Sequence, residues 1–79
     1  MHHFRQTTYK SAAEIKAAID SGVRVFQHNS GYEVIKDSIG QYLIAFMRGT
    51  PWENYIGLTW TDGTTLNGKP EEFYSVNEG

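Results

Sequence analysis

Glycine punctuates this chain at roughly nine-residue intervals, with Gly22, Gly31, Gly40, Gly49, Gly57, Gly63 and Gly68 separating short segments. Several follow Ser, Asn or Asp, the residues that start tight turns. The segments between them are rich in β-branched and aromatic residues. Links this short can join only antiparallel neighbours, because a parallel pair needs a crossover of a dozen residues or more. The spacing therefore predicts a meander of short strands over 23–28, 32–37, 41–47 and 55–61. Thr64–Leu66 is a candidate return strand. Phe73–Val76 is either the last strand or a tail pinned by its aromatics.

One stretch breaks the pattern. Ser11-Ala12-Ala13-Glu14 is a capping box, in which Ser11 accepts from the Glu14 amide and Glu14 reaches back to the Ser11 amide. Ala12, Ile15, Ala18 and Ile19 then form one apolar stripe, and Gly22 suits the left-handed stop. A helix is expected over 12–21. The run 41–47 is apolar on both faces, with Tyr42, Ile44 and Phe46 on one and Leu43, Ala45 and Met47 on the other. It suits a central strand, or one whose second face meets the helix or a partner. The expected fold is α+β, with one N-terminal helix packed on a four- to five-stranded antiparallel meander sheet. At 79 residues this is a single domain over 1–79. Residues 1–8 form a flexible lead-in or, at Phe4–Thr8, an edge strand.

Composition narrows the chemistry. The chain has no cysteine, which removes disulfides, thiolate metal sites and cysteine nucleophiles together. His2, His3 and His28 lack metal-ligand spacing, so no metal or cofactor is expected. There is no phosphate-binding glycine loop and no nucleophile elbow. His28, Glu33, Asp37, Asp62 and Tyr42 are the candidates for acid–base work, but one helix on one sheet offers little concavity. A non-enzymatic protein is expected. Seven basic residues face nine acidic ones with the signs mixed along the chain, so no stripe tracks a phosphate backbone. No apolar run has the length of a leader or a membrane span. The expected setting is cytoplasmic, as a monomer or a homodimer.

Eleven aromatics exceed what one small core needs. Phe26, Tyr42, Phe46 and Trp60 are the core candidates. Tyr32, Trp52, Tyr55, Phe73 and Tyr74 fall near turns or in loops. There they either plug small cores under the loops or anchor a protein interface. Trp52, Tyr55, Tyr32 and Glu53 are the expected contact residues, with Arg48 as a charged anchor.

The stretches Ile56-Gly57-Leu58-Thr59, Asp62-Gly63, Thr65-Leu66-Asn67-Gly68, Pro70 and Phe73-Tyr74 resemble a pattern in small accessory proteins of bacteriophages and prophages. Lys10-Ser11-Ala12-Ala13-Glu14, followed by Gly22 and a strand, is similar to the same group. The pattern consists of caps, turns and aromatics, and it transfers no catalytic residue. The resemblance implies a phage protein that binds and disables a bacterial host protein or defence complex inside the host cell, as anti-CRISPR proteins do. A nucleic-acid-binding regulator of phage development is the alternative.

Overall fold

A computed structural model describes residues 4–78; His2 and His3 lie outside them. Six strands and one α-helix follow in the order β1 (Phe4–Thr8), α1 (Ala12–Asp20), β2 (Val25–Gln27), β3 (Asn29–Lys36), β4 (Tyr42–Phe46), β5 (Asn54–Gly57) and β6 (Phe73–Glu78). A single 3₁₀ turn at Pro70–Glu72 precedes β6. The class is α+β, with the helix packed on an antiparallel sheet.

Helix α1 starts and stops on local chemistry. The Ser11 hydroxyl accepts from the Glu14 amide at 3.3 Å. The Glu14 carboxylate reaches back to the Lys10 amide at 3.0 Å rather than to that of Ser11, so the box closes one residue earlier than expected. At the other end Gly22 takes φ +89°, the Gly22 amide donates to Ile19 O and the Val23 amide to Ala18 O, each at 3.0 Å. That is a Schellman stop. Ala18 and Val23 both pack against the core, as its hydrophobic contact requires.

The sheet order is β1-β6-β2-β3-β4-β5, and every neighbouring pair is antiparallel. Strands β2 to β5 form the expected meander. The count of four to five strands is exceeded because both ends of the chain join the sheet. Residues 4–8 form an edge strand rather than a lead-in, and β6 slots between β1 and β2. Thus β1 and β2 run parallel with β6 between them, and α1 is the crossover that joins them.

Local boundaries shift for physical reasons. The turn expected at Asn29-Ser30-Gly31 is strand; the chain reverses one residue earlier, at His28, which takes φ +63°. The Asn29 side chain accepts from the Gly31 amide at 2.8 Å, and the β2–β3 register slips there. The strand expected over 55–61 ends at Gly57. Beyond it only a single bridge, Thr59 to Leu66, continues the pairing.

In-register Val25, Val34 and Ile44 cross the helix-side face of β2, β3 and β4. With Ile15 of α1, Tyr9, Leu58 and Phe73 they form the core. Burying each large apolar side chain contributes roughly 1.5–3 kcal/mol. Two aromatics exchange their expected places. Phe73, expected near a loop, is completely buried, whereas Trp60, expected in the core, is 65% exposed. Phe26 and Phe46 are half-buried and pack in pairs on the sheet, Phe26 with Tyr74 and Phe46 with Tyr32. Among the described residues no helix covers the opposite face, where Phe26, Glu33, Ile35, Leu43, Ala45 and Tyr55 lie. The apolar second face of β4 is therefore not a contact with α1, and β4 is second from the edge rather than central.

Candidate functional site

A nine-residue helix is about 14 Å long. Six strands at about 4.8 Å spacing make a sheet roughly 24 Å wide. One such helix cannot cover one face, and the shortfall leaves apolar groups open beside β5. Tyr32 and Phe46 sit opposite each other on β3 and β4, their ring centroids 4.6 Å apart. Ile56 of β5 lies beside buried Ile44 and is 46% exposed. Together with Asn54 and Tyr55 these residues line a groove of about 160 Å³. His28 stands edge-on to Tyr32, with centroids 6.1 Å apart, and its Nε2 is 3.6 Å from Glu72 Oε1.

The loop between β4 and β5 runs from Phe46 to Asn54, both in the groove lining, and is stiffened from within. The Thr50 hydroxyl donates to Met47 O at 2.7 Å, and the Trp52 amide donates to that hydroxyl at 3.3 Å. The Gly49 amide donates to Glu53 Oε2 at 3.0 Å. Met47 accepts a left-handed φ of +54° to start the loop. Trp52 is held outward at its apex, 71% exposed.

The five residues expected as contacts thus gather at one end of the sheet but not on one face. Tyr32 faces the helix side. Tyr55 is in register with Ala45 and so points to the open face, where Arg48 borders a second groove with Arg24, Glu33 and Met47. Trp52 lies in the loop between. Glu53 serves to close the loop. Phe46 and Ile56 were not among the expected contacts. The available signal was the shortness of the helix measured against the number of strands.

The ionisable groups are engaged in structural contacts. Arg24 Nε and Nη2 each meet the Glu33 carboxylate at 3.1 Å. Asp20 accepts from the Tyr42 hydroxyl at 2.7 Å and from Lys36 Nζ at 3.1 Å, and these contacts hold its carboxyl below the usual range. Asp37 Oδ1 accepts from the amides of Ile39 and Gln41. The Gln27 amide, then the Lys69 N–H and the neighbouring His28, lower Glu72. The Thr65 hydroxyl, with the amides of Thr65 and Thr64, holds Asp62 at about 2. Glu33, Asp37, Asp62 and Tyr42 are thus each held by a different structural partner. Among the described residues no three His, Asp or Glu side chains gather to hold a metal ion. No helix there is long and apolar enough to cross a membrane.

What this end of the molecule can do chemically is present apolar rings, one exposed indole and one guanidinium on a stiff frame. Comparison of the chain with protein-family models, curated proteins and solved structures finds no match.

Proposed function

We propose that the chain is a non-enzymatic binding protein that inhibits a bacterial host protein or defence complex by covering one of its surfaces. One observation carries the reading. The Tyr32–Phe46 pair, Ile44 and Ile56 line a groove at one end of the sheet, and the loop that joins β4 to β5 at that end carries Trp52, 71% exposed. Tyrosine and tryptophan in such settings are the residues that dominate protein interfaces. The internal hydrogen bonds of the 47–53 loop fix the backbone that carries Trp52 before binding, which lowers the ordering cost of association. Arg48, at the second groove on the open face, adds a charged contact at the same end of the sheet. The resemblance to small phage proteins supports a partner in the bacterial host.

The test is a pull-down from bacterial lysate, followed by affinity measurement on the purified retained protein. Trp52→Ala should weaken that complex by about 2 kcal/mol, roughly thirtyfold, while the fold persists. Affinity unchanged by Trp52→Ala and by Ile56→Asp would refute the assignment. Binding should respond weakly to added salt. A steep fall with salt would favour the nucleic-acid regulator instead.

A further inference from the structure

The second exposed indole lies at the opposite end of β4, among different neighbours. We propose that the groove beside Trp60 is a binding site for a neutral pyranose chain. This inference is independent of the protein-binding reading, because the two sites share no residue.

Trp60 is 65% exposed although the chain leading to it is anchored. Leu58, two residues earlier, is completely buried. The Trp60 amide donates to Thr65 O at 2.9 Å, and Trp60 O accepts from the Gly63 amide at 3.0 Å. Asp62 accepts from the amides of Thr64 and Thr65 and from the Thr65 hydroxyl, which sets the turn. Lys16 Nζ donates to Gly63 O at 2.9 Å and ties the hairpin to α1. The indole is thus held out on a braced mount rather than on a loose tail.

The groove beside it measures about 490 Å³, within the ~300–1,000 Å³ of small-molecule sites. Gln41, Thr59 and Thr61 line it with Trp60, Tyr42 and Lys16. The side chains of Gln41, Thr59 and Thr61 make no hydrogen bond among the described residues. They leave one amide and two hydroxyls to donate and accept beside an aromatic surface. A pyranose matches that pairing. Its C–H face packs on a ring, and its rim of hydroxyls needs neutral groups that both give and take hydrogen bonds. The lining disfavours the competitors. Lys16 is the only cation in the lining, with one of its three N–H donors on Gly63 O, and a single ammonium gives a phosphate backbone no track to follow. No carboxylate lines the groove to hold a cation. An apolar peptide segment would suit the Tyr32–Phe46 end better, where Ile44 and Ile56 replace the hydroxyls.

The test uses the full chain carrying Trp52→Phe, so that Trp60 is its sole tryptophan. It is titrated with cellotetraose and with tetra-N-acetylchitotetraose, and indole emission is followed. A saturable blue shift with half-saturation at or below about 1 mM is expected for at least one of them. In calorimetry on the otherwise natural chain, Trp60→Ala should abolish that binding with the melting temperature retained. Gln41→Ala should weaken it about tenfold, the worth of one hydrogen bond. Absence of a saturable response to either sugar at about 10 mM overturns the proposal. So does sugar binding that survives Trp60→Ala, or tighter binding of an oligo-dT to the same variant. Loss of the protein partner's affinity in Trp52→Ala would leave this outcome untouched, so the two readings fail separately.

Discussion

Replacing Gly68 by alanine should loosen the join that seats β6 against β2. Gly68 has φ +139°, and a Cβ there would lie 2.6 Å from Gln27 Nε2 and 2.8 Å from Glu72 Oε1, closer than real Cβ contacts come. Gln27 is only 7% exposed, and its amide donates to Glu72 Oε1 at 3.1 Å. The new methyl must displace that amide or the carboxylate that receives it. A left-handed alanine costs about 1–2 kcal/mol, and a buried Gln27 amide left without its acceptor adds about 1–3 kcal/mol. The sum is about 2–5 kcal/mol. Gly40→Ala supplies the control, since Gly40 has φ +86° and nothing within 4 Å of its Cβ position, so only the first cost applies. A domain this size has roughly 4–12 kcal/mol in total, so the difference is a large share. Urea titrations followed by circular dichroism should show the Gly68→Ala midpoint falling at least about 1 M further than that of Gly40→Ala, given a slope near 1 kcal/mol/M. Losses agreeing to within about 0.5 kcal/mol would show that the Gln27–Glu72 contact contributes nothing to holding β6, and would refute the reasoning.

Two further perturbations reach other parts of the frame. The Tyr9 hydroxyl is 2.9 Å from Ser75 Oγ, and Ser75 is 1% exposed. Tyr9→Phe and Ser75→Ala should each cost about 1–3 kcal/mol, and the double variant less than their sum, because it leaves no buried hydroxyl unpaired; additive losses in a double-mutant cycle would contradict this. Asp62 titrates near 2 instead of 3.8. A depressed carboxylate adds its stability above its ordinary range and loses it as pH falls through the folded value. The 61–64 turn should therefore hold above about pH 4 and loosen towards pH 2, and a carboxyl midpoint near 4 by carbon NMR would disprove it. With the Trp52 and Trp60 substitutions these span both ends of the sheet and its closing strand.

What could be foreseen was local. Ser11, Glu14 and Gly22 act within five residues of their partners, so the start and stop of α1 are written in neighbouring positions. The two-residue alternation around Val34 sets which face of β3 is buried, whereas β4, apolar on both faces, buries Ile44 and Ala45 alike. Exposure of Trp52 follows from its place between Pro51 and a strand start. The position of β6 was not legible in this way. Gln27 pairs with Phe73 across 46 positions, and whether that last segment covers the open edge of β2 depends on what else could reach it. The exchange of Phe73 and Trp60 has the same origin. Phe73 is buried because it starts the inserted strand, and Trp60 is exposed because β5 leaves the sheet at Gly57, after which alternation no longer dictates direction. The split of Tyr32 and Tyr55 between two faces likewise needed the β4–β5 register. Caps, turns and alternation act between near neighbours, whereas strand order is a competition among distant segments for the same backbone hydrogen bonds, and it is settled only when the whole chain has collapsed.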